Sequence, residues 1–194
     1  MNIRNKSLPF AHKFKPYNIT DPLQVYEGFS KANESNNYHT IIVDSLTYLM
    51  DMYETLYVLT SNNLMKSWGE YAQFFKRLMT QYVAVSKKNI IFTAHTMDII
   101  NETEMIQETL IKVKGSLMNH GIESYFNTVL STKKLPIRKL EDYKNAFLNI
   151  SEEDEMLGYK YVFQTRLTKE TVNERIRSSL GMWSKDETFI DNDI

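Results

Sequence analysis

Two apolar, β-branched runs separated by a long amphipathic stretch limit what this chain can fold into. HTIIVDS (39–45) and NIIFTAH (89–95) carry consecutive rather than alternating apolar residues, the pattern of a strand covered on both faces. Between them, LMKSWGEYAQFFKRLMTQYVAVSKK (64–88) sets Trp68, Tyr71, Phe75, Leu78 and Tyr82 on one helical stripe. Strand, helix and strand in that order predict a βαβ crossover and a mainly parallel sheet flanked by helices. The expected class is α/β.

The flanking segments fill in the plan. Asp21 as N-cap and Pro22 at the first helical position open an expected helix over 21–35. ETLIKVKGSLMNHGIESYFNTVLSTKKL (108–135) reads as a strand, a short helix opened by Ser116, and a strand over 126–132. In YKYVFQTRLT (159–168), Tyr159, Tyr161 and Phe163 alternate with Lys160, Val162 and Gln164, which predicts a half-exposed antiparallel strand on the C-terminal side. ISEEDEMLG (150–158) reads as an acidic solvated loop, and 184–194 as an acidic, loose tail with Trp183 and Phe189 as anchors. A length of 194 residues suits one domain spanning 1–194.

Composition narrows the chemistry. Twenty-three basic residues against 24 acidic ones leave a net charge of -1, so any polyanion site must be local. The absence of cysteine excludes disulfides, thiolate catalysis and cysteine zinc sites, and fits a cytoplasmic protein. Histidines at 12, 39, 95 and 120 share no metal-ligand spacing, and no GxSxG nucleophile motif occurs.

The strand tips carry the first candidates. Asp44 and Ser45 end the first run, where a fixed negative charge at the carboxyl edge of a sheet can hold the water shell of a magnesium ion. Asp-Ser also starts turns well, so the pair alone has a plain structural reading. Thr93 and His95 end the second run, which the crossover brings to the same edge. A polar group there can sense a γ-phosphate, or simply terminate the strand. Arg175 and Arg177, in RIRSSLGMW (175–183), can neutralise phosphate charge across a subunit interface or sit solvated on a surface. Lys87, Lys88, Lys133, Lys134, Arg138 and Lys139, with Tyr125 and Phe126, form a small candidate nucleic-acid patch.

Taken together, IIVDSLTYL, the helix with WGEY, NIIFTAHT, KGSL and RIRSSLGMW resemble the RecA/RadA-like P-loop ATPases of bacteriophages, over roughly residues 15–193. The resemblance implies ATP and Mg2+ as cofactors and single-strand annealing or DNA recombination as the work. It implies Asp44 as the Walker B aspartate beside Ser45, His95 as γ-phosphate sensor, and Thr93 lining the same edge. It further implies 97–114 as a mobile loop meeting single-stranded DNA, and Arg175 and Arg177 acting in trans within a homo-oligomer.

The family's GxxxxGK[ST] loop, whose backbone N–H groups and lysine cradle the phosphates, has no match among the six glycines. The glutamate expected between that loop and the Asp44 strand has no clear match either. Three readings stay open: a core lacking its first strand and P-loop, completed by a separate N-terminal fragment; a degenerate, non-hydrolysing assembly or DNA-binding module; or another α/β interaction domain.

Overall fold

The structure is a computed structural model that describes Met1, residues 14–103 and residues 105–192, with His120 described by its backbone. The histidine at position 12 lies outside the described residues. The chain divides into two compact units, Met1–Met97 with Ile111–Ile122, and Asp98–Leu110 with Glu123–Ile194.

In the first unit, helix α1 (Gln24–Glu34) leads to strand β1 (Thr40–Val43), helix α2 (Leu46–Tyr53), helix α3 (Leu64–Arg77) and strand β2 (Asn89–Phe92). Asp21 serves the turn before α1 rather than capping the helix itself: its Oδ1 accepts the Leu23 N–H at 2.8 Å. Asn63 caps α3, its Oδ1 accepting the Lys66 N–H at 3.1 Å. Both α2 and α3 run on into a π turn, closed by Leu59 N–H to Glu54 O and Ala84 N–H to Met79 O, each 2.9 Å. Val25, Phe29, Val43, Leu46, Leu49, Phe75 and Leu78 are fully buried and form the core. Each such side chain contributes roughly 1.5–3 kcal/mol of transfer free energy. The stripe on α3 is therefore what holds the crossover against the strands.

β1 and β2 pair in parallel, Thr40 opposite Asn89 through Val43 opposite Phe92. The crossover is as expected, but among the described residues the parallel sheet has only these two strands. The expectation that 89–95 is buried on both faces fails: β2 alternates between exposed and half-buried, with Ile91 39% exposed. Its second edge meets no strand among the described residues. The unit closes with the short helix α4 (Ser116–His120) behind Gly115, whose φ of +61° favours glycine.

Residues 97–114 do not form an open loop. Strands β3 (Thr96–Asn101) and β4 (Ile106–Ile111) pair with each other instead, and the Thr109 hydroxyl donates to Asp98 Oδ1 at 2.7 Å.

The second unit centres on β5 (Ser131–Pro136), β6 (Tyr159–Gln164) and β7 (Phe189–Asp191), an antiparallel sheet in the order β5-β6-β7. The antiparallel C-terminal strands agree with the reading of 159–168. The strand expected over 126–132 begins instead at Ser131, and Val129 makes only an isolated bridge to Arg177. The short helix α5 (Ile137–Leu140) follows β5. Glu152–Leu157, expected as a loop, is a helix, α6, because Ser151 and Asp154 close a reciprocal capping box and Gly158 ends it in the left-handed region. Its acidic first turn complements the helix dipole. Within the acidic tail, Phe189 is buried in β7, in a cluster with Leu140 and Val162.

Candidate functional site

Asp44 leaves β1 immediately after the fully buried Val43 and is itself exposed. Ser45 turns inward, is 3% exposed, and caps α2 by accepting the Tyr48 N–H on its Oγ at 3.4 Å. The peptide between them is cis. Asp44 faces water while Ser45 starts a helix.

Thr93, the first residue after β2, extends the parallel ladder. Its N–H donates to Val43 O at 3.1 Å and its carbonyl accepts the Leu46 N–H at 2.8 Å. This fixes its backbone between the end of β1 and the start of α2. From there its hydroxyl donates to Asp44 Oδ1 at 2.6 Å, a charge-assisted bond that sets the carboxylate's orientation. The structure therefore brings Asp44 and Thr93 together at the carboxyl edge of the parallel pair.

His95 is held differently. Its N–H donates to Thr47 Oγ1 at 2.9 Å, and its carbonyl accepts the Lys112 N–H at 2.8 Å. Its ring meets the Tyr48 ring edge-on at 5.1 Å. The first turn of α2 thus positions both the buried Ser45 and the exposed His95.

The arginines belong to the second unit. Arg175 Nη2 donates to Glu108 Oε2 at 2.8 Å, so its guanidinium already has a carboxylate. Arg177 is exposed, and its backbone forms the bridge with Val129. The expected basic patch is also divided. Lys133 is paired with Glu174 at 2.5 Å with both side chains largely shielded, while Lys88 donates to Ser35 O at 2.7 Å. Lys134 takes neither course: its ammonium lies 3.7 Å from the centroid of the Tyr159 ring. Sequence reading found the lysine pair, but which of the two is committed to a carboxylate follows from cross-strand register.

Sequence reading missed a cleft of about 420 Å³ in the second unit, lined by Arg166, Thr168, Lys169, Glu170 and Lys185 among others. Residues 166–170 form one run, which Lys185 and Thr188 meet from farther along the chain, and no motif marks them.

The donor set at Asp44 fits one part of a magnesium nucleotide. An exposed carboxylate with one oxygen oriented by Thr93 suits the water shell of a divalent cation. Among the described residues no group of three or more histidine, aspartate or glutamate side chains converges for direct ligation. The phosphate chain is another matter, because the 194 residues contain no GxxxxGK[ST] segment. No hydrolytic step follows from the described residues alone.

Among the described residues no helix is long and apolar enough to cross a membrane. No curated protein and no solved structure matches the chain. A family model described as an AAA domain matches residues 3–167, well over half of the sequence, and the chain belongs to that family of P-loop-type ATPase domains.

Proposed function

We propose that this chain is the core of a RecA-type ATPase of phage kind, working in ATP-dependent recombination or annealing of single-stranded DNA, with its phosphate-binding loop supplied by a separate segment. The observation that carries the reading is the Thr93–Asp44 bond of 2.6 Å at the end of a parallel strand pair, within a family whose members use nucleotide. Asp44 would hold the metal's water, Thr93 would fix its carboxylate, and Ser45 would anchor the turn between them. His95 would read the γ-phosphate from the same edge. Arg175 or Arg177 would serve a neighbouring protomer's nucleotide in a homo-oligomer, Arg175 after leaving Glu108. The setting would be the cytoplasm of a host bacterium. The second edge of β2, which pairs with no described strand, offers backbone groups that a supplied strand could take up.

Phosphoryl transfer depends almost wholly on positioning and electrostatic stabilisation of the phosphates. The 194-residue chain alone is therefore expected to show little or no ATP turnover. A steady-state phosphate-release assay with ATP and Mg2+ tests this. Robust turnover that disappears in Asp44→Ala would refute the incomplete-core reading. A strand and GxxxxGK[ST] encoded directly upstream, restoring Asp44-dependent turnover when co-expressed, would support it.

The absence of a GxxxxGK[ST] sequence also favours a second reading, a non-hydrolysing assembly or DNA-binding module. Restored turnover would eliminate that alternative.

A further inference from the structure

Register in the second unit's sheet sorts side chains onto two unlike faces. Directly opposed residues of an antiparallel pair share a face. One face therefore carries Leu135, Val162 and Phe189, covered by Leu140, Tyr143, Leu148 and Ile150. The opposite face carries Lys134, Tyr159, Tyr161 and Phe163, with Lys134 directly across from Tyr161 and Thr132 across from Phe163. Three aromatic residues at alternate positions of one strand thus stand on the side away from that core.

Tyr161 is 56% exposed, unusual for a large ring in mid-strand. Tyr159 meets it edge-to-face at 5.8 Å, which fixes the ring. The Lys134 ammonium lies 3.7 Å from the Tyr159 centroid and 6.0 Å from that of Tyr161. Its neighbours in the sheet behave otherwise: Lys133 pairs with Glu174, and Lys160 with Asp154 and Asp191, all at side chains of the covered face or bonded to it. The acidic helix α6 is tied to that covered face through Asp154. Lys134 therefore brings positive charge to the aromatic face, and among the described residues it pairs with no carboxylate.

From this juxtaposition we infer that the Tyr159–Tyr161–Phe163 face, with Lys134, binds single-stranded nucleic acid. A base stacks on the exposed ring of Tyr161, and the Lys134 ammonium takes the adjacent phosphate. The chemistry matches at both ends: unpaired bases offer π-faces to aromatic rings on a sheet, and the backbone offers anions to an unpaired ammonium. A duplex hides those base faces, so the site selects single strands. The inference rests on the single-stranded DNA partner proposed above. It moves the contact from the 97–114 segment to β5 and β6.

The test is fluorescence anisotropy of labelled dT20 and rU20, and of a 20-base-pair duplex, with the full chain across a salt series. Removing one stacking ring costs about 1–3 kcal/mol, so Tyr161→Ala is expected to weaken single-strand binding roughly 5- to 150-fold, while Tyr161→Trp retains it. Lys134→Gln is expected to lower the salt slope by about 0.7, one phosphate contact on a single strand. Ultraviolet crosslinking of dT20 to wild-type protein should mark the tryptic peptide 161–166, a readout independent of any variant's folding. If wild-type chain binds but Tyr161→Ala and Lys134→Gln match it within twofold, or the crosslink falls elsewhere, this face is not the contact and the single-strand reading survives. Binding to duplex as tight as to single strands likewise overturns the inference. Should dT20 and rU20 both fail to bind wild-type chain at low salt, the inference and the DNA partner fall together, leaving the ATPase assay as a separate question.

Discussion

In the first unit, Lys114 Nζ bonds Glu54 Oε2 at 2.6 Å, but the two side chains are unequally placed: Glu54 is 11% exposed and Lys114 49%. At that distance two unit charges attract by about 6 kcal/mol at an effective dielectric near 20, and by about 1.6 kcal/mol in water. The half-exposed ammonium moves the pair toward the lower figure, and desolvation of the carboxylate offsets part of it. A net coupling of about 1–2 kcal/mol is expected. The single changes should differ. Lys114→Met leaves a shielded carboxylate without its ammonium and should cost about 2–3 kcal/mol. Glu54→Gln leaves an ammonium that can turn to water and should cost about 1 kcal/mol. Urea unfolding followed by Trp68 fluorescence in a Trp183→Phe background reports on this unit, since Trp68 packs edge-on to Tyr71 at 5.2 Å. A double-mutant cycle gives the coupling. Additive costs within about 0.3 kcal/mol, or Glu54→Gln costing more than Lys114→Met, would refute the burial reasoning.

Two further outcomes can be measured. Burial raises the phenols of Tyr26 and Tyr71 to about 12, and a hydrogen bond to Asp21 raises Tyr57 to about 12. The unfolded value is near 10. A raised folded pKa means the stabilisation is complete below pH 10 and is lost as pH climbs toward 12, because the unfolded chain releases those protons first. Tyrosinate absorbance should show a late-ionising group, smaller in Tyr57→Phe, with unfolding stability falling across that window; uniform ionisation near 10 in folded protein would contradict it. Ser151→Ala removes a capping-box partner whose Oγ accepts the Asp154 N–H at 3.2 Å. It should destabilise the second unit by about 1 kcal/mol, while a midpoint unchanged in urea would show that α6 does not need its cap.

Much of the first unit was legible because its signals are local. Continuous apolar residues marked β1 and β2, one helical stripe marked α3, and the order of the three fixed a parallel crossover. That order brought Asp44 and Thr93 to one edge without any further information. The Ser151–Asp154 box was equally local, but acidic composition outweighed it and 150–158 read as a loop. The expectation of a mobile loop over 97–114 came from the resemblance alone; the segment holds the paired strands β3 and β4.

The sequence by itself determined the crossover, the polar strand tips and the alternation of Tyr159, Tyr161 and Phe163, since periodicity and caps act over a few residues. Only tertiary structure decided that Lys133 meets Glu174 while Lys134 meets Tyr159. It also engaged Arg175 with Glu108 and left β2 paired on one edge among the described residues. Strand register and ion pairing join residues dozens of positions apart. A one-residue slip in β5 would exchange the two lysines between faces, and no local pattern in the chain records which register is adopted.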